Sequence, residues 1–326
     1  MRALRVFFAI AIPIVVLILL GDYSGNEPRL DAVAAARQAT GLDLESKRVP
    51  VGQVNLHVVE AGPKDGPPIV LLHGFPEFWY AWRDAIAPLV AAGYRVIIPD
   101  QRGYGDSDKP SGVQSYRIDL LGDDIARLIK ALGYENACVA AQDWGAGVAW
   151  NVAIRHPERV HRLVVLDVPH PDAKRTTVSK EQKVAWYRTF FQIPYLPEWS
   201  ARLFHWRVLS KMLLNTSAPG AFSDEKLALY RSAWDRDGAF GKMVNWYRAD
   251  NAPPADGTQA DRRVSVPTLI LLAPHDAFIP SDLARASLAL LDDGRLEELP
   301  DGTHWVMQEH PDLVAARIAA FCQRAN

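Results

Sequence analysis

Short runs of nearly continuous apolar residues alternate along the chain with stretches whose apolar positions recur every three to four residues. The runs are 67–74 (PPIVLLHG), 94–100 (YRVIIPD), 137–143 (ACVAAQD), 162–169 (RLVVLDVP) and 267–273 (PTLILLA). Unbroken apolar runs bounded by turn residues read as strands buried on both faces, as in a parallel sheet covered by helices. Residues 54–62 (VNLHVVEAG) alternate loosely, and RLEEL at 295–299 reads as a further short strand. Helical spacing occupies about 77–91, 115–132 and 145–156. The order strand, helix, strand, helix predicts an α/β domain with a mainly parallel sheet.

The alternation stops at about Pro169 and resumes at about Val266. No strand pattern lies between, and Trp186, Trp199, Trp206, Trp234 and Trp246 are half of the chain's ten tryptophans. We expect a helical lid over 170–258 and a core made of 46–169 and 266–326. A plain helical subdomain with an aromatic core is the alternative, and some of these tryptophans are core on either reading. Residues 22–45 read as a linker holding a possible short helix (LDAVAAARQAT).

The first residues differ in character. Arg2 and Arg5 precede an uncharged apolar run, Val6–Leu20. Fifteen helical residues reach roughly 22 Å, short of the ~30 Å hydrocarbon core and suited to a signal segment. No small-x-small cleavage pattern follows closely, which favours an uncleaved anchor over a cleaved secretory signal. The basic residues before the run, with Asp22 and Glu27 after it, point to a catalytic domain outside the cytoplasm. At 49% hydrophobic residues the rest of the chain can bury one large core, and a net charge of −2 favours no nucleic-acid partner. The two cysteines, Cys138 and Cys322, lie far apart in apolar stretches and are expected as buried free thiols. No zinc-type spacing or phosphate-binding loop occurs, so neither metal nor cofactor is expected.

The stretch AAQDWGAGVAW (140–150) has the form of a nucleophile elbow, small-x-nucleophile-x-small between a strand and a helix. Ala141 and Gly145 take the small positions, and Asp143 takes the place more often held by serine. A helix N-cap aspartate is the plainer reading of Asp143. In an elbow of this type the acid and the histidine follow later in the chain. Asp276, in LLAPHDAFIP, falls just past a strand end, and His304, in LPDGTHWVMQEHP, falls in a loop before the last helix. Asp167 and His275 are the rivals for those two roles. The turn in LLHGFPEFWYAW (71–82) can aim the N–H of Phe75 at the elbow, making an oxyanion hole with the N–H of Trp144.

With these pieces in order, the chain resembles the soluble-type epoxide hydrolase branch of the α/β-hydrolase superfamily over roughly 45–325. The matching segments are HGFPEFWYAWR (73–83), PDQRGYGDSDKP (99–110), QDWG (142–145), LDVPHP (166–171), FFQIPYLPE (190–198), NWYR (245–248), HDAFIP (275–280) and GTHWVMQEHP (302–311). The resemblance implies an α/β-hydrolase fold with an inserted helical lid, and a cis Phe75–Pro76 bond. It implies two lid tyrosines that bind the epoxide oxygen: Tyr187, five residues before the Gln of the FQ motif, and Tyr247 in NWYR. Tyr195 and Tyr230 are expected as aromatic lid core. Two departures are Gln142, where His is common, and Ala141, where Gly is common. Neither is expected to touch the chemistry directly.

A carboxylate at the elbow changes the chemistry. It is ionised without a base, an ordinary aspartate having a pKa of ~3.9. On an acyl carbon it would form an anhydride; on a saturated carbon it forms an ester that water can hydrolyse. An epoxide or an organohalide is therefore the expected electrophile. Epoxide opening needs a proton donor, which Tyr187 and Tyr247 would supply, and yields a vicinal diol. A haloalkane dehalogenase is the alternative enzyme, although Phe75 stands where an Asn halide donor is often found. A non-catalytic, membrane-anchored binding protein is a third reading, which has no use for Asp143, Asp276 and His304 together.

Overall fold

A computed structural model describes residues 27–176, 186–250 and 262–323. Eight strands form one sheet: β1 (Glu45–Pro50), β2 (Asn55–Ala61), β3 (Pro68–Leu72), β4 (Arg95–Pro99), β5 (Ala137–Gln142), β6 (Val160–Leu166), β7 (Thr268–Leu272) and β8 (Gly294–Glu298). Their order is β1-β2-β4-β3-β5-β6-β7-β8. β1 and β2 run antiparallel to their neighbours, and every pairing from β4 to β8 is parallel. β3, β4, β5 and β7 are buried at every residue, as their unbroken apolar runs require.

The helices of this core are α1 (Ala32–Thr40), α2 (Arg83–Ala91), α3 (Ile118–Ala131) and α4 (Asp143–Arg155). The insertion carries α5 (Pro171–Thr176), α6 (Trp186–Phe190), α7 (Leu196–Thr216), α8 (Asp224–Trp234) and α9 (Ala239–Ala249). α10 (Ser281–Ala286), α11 (Val306–Glu309) and α12 (Pro311–Cys322) complete the chain. α3 packs against α4, and α2 against α12. α7 is two helical stretches broken at Leu203–Trp206, where Phe204, His205 and Trp206 all take positive φ. This is an α/β-hydrolase fold, with no strand between α5 and α9 among the described residues.

Three aromatic side chains stitch the insertion to the core through their polar ends. Trp234 Nε1 donates to Pro76 O, Trp246 Nε1 to Arg102 O at 3.0 Å, and the Tyr230 hydroxyl to Glu77 Oε1 at 2.7 Å. Buried tryptophan and tyrosine find a partner in this way because an unpaired N–H or O–H is costly away from water. Arg102 is fixed in turn by a two-pronged ion pair with Asp124, 2.7 Å for each bond and almost wholly buried. Tyr230 is the core residue expected of it, but Tyr195 is 84% exposed. Tyr195 occupies the left-handed residue just before α7, where the turn swings its ring outward.

The short helix expected within 22–45 is α1, which is capped by Asp31, buries Ala32 and Ala36, and is preceded by a Leu30 N–H bond to Ser232 Oγ at 2.9 Å. β1 was not legible as a strand. The cysteines are not free thiols but a disulfide, Cys138–Cys322. Sequence separation hid this: the start of β5 and the end of α12 meet with Cα atoms 5.8 Å apart, well within bridging range. No helix among the described residues is long and apolar enough to cross a membrane, and Val6–Leu20 lies outside them.

Candidate active site

The elbow is visible in the backbone. Asp143 sits between β5 and α4 with φ of 48°, a left-handed conformation that costs a non-glycine residue about 1–3 kcal/mol and persists only where its surroundings enforce it. The surroundings are tight. A Cβ on Gly145 would lie 2.5 Å from Leu72 O, and one on Gly74 would lie 2.4 Å from Asp143 Cβ. Both positions therefore require glycine for close approach, one to let α4 dock on β3 and the other to let the turn after β3 reach the carboxylate. The Phe75–Pro76 bond in that turn is cis.

The Phe75 N–H donates to Asp143 Oδ1 at 2.8 Å. Burial would raise the Asp143 pKa, but His304 beside it and the N–H groups of Phe75 and Trp144 outweigh burial and hold it below the ordinary value. An ionised carboxylate thus stands at the elbow with two backbone N–H groups on it. The plain N-cap reading of Asp143 fails here, because the N-cap of α4 is Gln142, Asp143 is the helix's first residue, and its carboxylate faces Phe75 and His304.

His304 closes the constellation. Its Nε2 lies 3.5 Å from Asp143 Oδ2, and its Nδ1 lies 2.7 Å from Asp276 Oδ2. The other Asp276 oxygen accepts from the N–H groups of Phe278 and Ile279, at 2.6 and 2.9 Å, so the carboxylate is held at both oxygens. Burial alone would lower the His304 pKa, but the two carboxylates raise it well above the usual histidine value. Among the rivals, His275 is exposed, and Asp167 accepts from the N–H of Ala273. The structure brings Asp143, His304 and Asp276 together, and the turn of Phe75 with them.

Tyr187 and Tyr247 meet above this group from α6 and α9, their rings 6.0 Å apart and edge to face. Tyr247 also packs against Phe75 at 5.1 Å and against Trp144 at 5.0 Å. Burial and the Asp143 charge push the Tyr187 hydroxyl up to about 12. The same causes raise Tyr247 well above 10, opposed by a hydrogen bond from the Trp144 side chain. Both are therefore neutral O–H donors at any ordinary pH.

Three residues went unassigned in the sequence. Gln142, expected to stay clear of the chemistry, places Nε2 3.1 Å from His304 Nε2 and 2.9 Å from His304 O. The carbonyl contact fixes which end of the amide faces the histidine, since two oxygens would repel. Glu77 is fully buried and accepts from Tyr230 and from Gln308 Nε2 at 2.9 Å, and burial pushes its carboxyl up to about 7. Tyr104 stacks edge-on against His73 at 4.7 Å, its hydroxyl buried without a hydrogen-bond partner. Glu77 and Tyr104 lie in motifs quoted above, but only the tertiary contacts mark them. Among the described residues no group of three or more His, Cys, Asp or Glu could hold a metal ion.

A family model described as the alpha/beta hydrolase fold matches residues 67–311. AB hydrolase superfamily protein YfhM of Bacillus subtilis is 42% identical over 274 residues, covering 82% of this chain and 94% of its own. Epoxide hydrolase 1 of Caenorhabditis elegans is 35% identical over 289 residues, 86% of this chain and 70% of that protein. The crystal structure of Bacillus megaterium epoxide hydrolase with an inhibitor matches at a TM-score of 0.73 and 28% identity, covering 85% of this chain and 99% of that one.

Proposed function

The chain belongs to the α/β-hydrolase family and to its epoxide hydrolase branch, and on that premise we propose that it hydrolyses epoxides to vicinal diols through an ester on Asp143. The observation that carries the reading is a carboxylate, not a hydroxyl, at the strained elbow, facing a histidine–carboxylate pair on one side and two neutral tyrosines on the other. Asp143 attacks an epoxide carbon, and the C–O bond on the far side breaks. The departing oxygen takes a proton from Tyr187 or Tyr247. His304, oriented by Asp276, then activates water against the ester carbonyl, and the N–H groups of Phe75 and Trp144 stabilise the oxyanion.

The electrostatics support this order. In the resting site two carboxylates favour the imidazolium form of His304. Ester formation abolishes the charge on Asp143, so one of the two anions holding that proton is gone. The tyrosinate left by protonation of the alkoxide is a base strong enough to receive it. Proton balance is restored, and His304 is neutral when water must be activated.

The rival dehalogenase reading needs indole or amide N–H groups free to hold a halide. The Trp144 ring instead packs edge-on against Tyr247 at 5.0 Å, and Phe75, where an Asn donor is often found, offers no side-chain donor. The deciding assay supplies styrene oxide and a bromoalkane separately and follows diol and bromide. Diol from the oxide is expected. Bromide without diol would make the dehalogenase the correct reading, and neither product would favour the binding protein.

The run Val6–Leu20 supports an N-terminal anchor with the catalytic domain outside the cytoplasm. The full chain should stay with the membrane fraction through a high-salt wash, because apolar burial and not surface charge holds it. Recovery of the intact chain in the wash would sink the anchor reading.

A further inference from the structure

We propose that the outer face of α7, around Phe204, Val208 and Leu214, lies on the lipid bilayer beside the N-terminal anchor. The inference rests on that anchor reading and adds to it an orientation for the whole domain.

Three observations carry it. First, the exposed large hydrophobic side chains among the described residues all fall between Trp186 and Leu214. On α7 they are Leu196 at 40%, Phe204 at 61%, Val208 at 57% and Leu214 at 46% exposure, the last three at and after the break. After the break, residues 207, 208, 211, 214 and 215 are exposed while Leu209, Ser210 and Leu213 are buried, so one face of the second helical stretch points outward. Leaving such side chains in water is unfavourable relative to burying them.

Second, the charge on this stretch has one sign. Between Glu198 and Asp224 there is no acidic residue, whereas Arg207 and Lys211 are present and exposed beside Val208 and Leu214, and Arg202 before the break is paired with Asp235. Apolar side chains flanked by basic ones on one helix face are the pattern of an interfacial helix, which sinks its apolar groups and meets anionic headgroups with its cations.

Third, the tether is short and starts here. Glu27 is fastened to the insertion: its N–H donates to Asp235 Oδ2 at 3.0 Å, and its carboxylate lies 3.6 Å from His205 Nδ1 and 3.9 Å from Arg231 Nε. Six residues separate it from Leu20. At ~3.5 Å per residue, the end of the apolar run is within about 25 Å of Glu27. His205 is the neighbour of Phe204, so a membrane that holds the run has this face as its nearest part of the domain.

Two other occupants fit less well. A second copy stacked face to face would bring Arg207 and Lys211 against their own kind. The run Val6–Leu20 folded back on the face carries no acid to meet them; of the charges that flank it Arg2 and Arg5 are basic, and the acid Glu27 is already placed against His205 and Arg231.

The test uses the full chain in vesicles of phosphatidylcholine and phosphatidylglycerol. Val208→Cys carries an environment-sensitive fluorophore in one sample, and Lys64→Cys carries it in the other. Lys64 is exposed and precedes β3, at the opposite end of the strands from the insertion. Spin-labelled lipid should quench the probe at 208 several-fold more than the probe at 64, and its emission should shift to the blue. Equal, water-like emission at both sites with the protein still sedimenting with vesicles would overturn the face assignment and leave the anchor standing. Failure to sediment would overturn both. A blue-shifted probe at 208 that lipid does not quench would mean that a protein segment covers the face, and the proposal would be wrong. Diol formation enters none of these readouts, so the epoxide reading stands or falls separately.

Discussion

His304→Gln is expected to open an epoxide once and then stop. Asp143 is already ionised, since His304 and two N–H groups hold its pKa below the ordinary value. Glutamine removes only part of that support, and it keeps a polar group for the buried Asp276 carboxylate to meet. What disappears is the base for the second half of the cycle, and steady-state diol release should fall by about 10²–10⁴ or more. The intact protein should gain the mass of one epoxide, and a peptide map should place that mass on Asp143. Asp143→Asn in the same experiment should show no adduct at first, because an amide is a poor nucleophile. Normal turnover in His304→Gln would require another base. A folded variant that forms no adduct would replace the covalent route by direct attack of water on the epoxide.

The second large effect belongs to the tyrosines. Tyr187→Phe or Tyr247→Phe alone should slow ester formation, since each leaves one donor for the departing oxygen. The double change should nearly abolish it, by ~10³-fold or more in a single-turnover measurement. Packing would change little, because the rings and their edge-to-face contacts stay. Any accepted bromoalkane provides the control, for bromide leaves without a proton. Equal losses on both substrates would show that the hydroxyls serve packing. Ester formation in the native enzyme should also hold steady from pH 5 to pH 9 (bounds set roughly by reference values). The Asp143 pKa lies below that window, and Tyr187, pushed up to about 12, lies above it.

The inner parallel strands were legible because burial on both faces leaves unbroken apolar runs, as in PIVLL of β3 and TLILL of β7. β1 was not, because an edge strand of sequence ESKRVP buries only Val49 and is held through its backbone to β2. The order of Asp143, Asp276 and His304 could be read from their places at strand ends. The part of Gln142 could not, since it depends on the end of β5 meeting the loop before α11. Tyr195 and Tyr230 are equally aromatic and lie in the same insertion, yet one is 84% exposed and the other wholly buried. Composition identifies an aromatic-rich segment without saying which rings face inward.

The Cys138–Cys322 bridge has a consequence for the chain when it is not folded. It joins residues 184 apart, so it encloses β6, β7 and β8, the whole helical insertion and Asp143, Tyr187, Tyr247, Asp276 and His304 in one ring. Closing a ring of that size removes configurational freedom from the denatured ensemble, worth about 5 kcal/mol on the chain-entropy account. Folded domains keep only about 5–15 kcal/mol of margin in total. Reducing agent should therefore lower the melting temperature markedly while leaving turnover at moderate temperature unchanged, because both cysteines lie at the far ends of their elements from Asp143. A chain stabilised through its unfolded state in this way is suited to an oxidising compartment, where the ring stays closed.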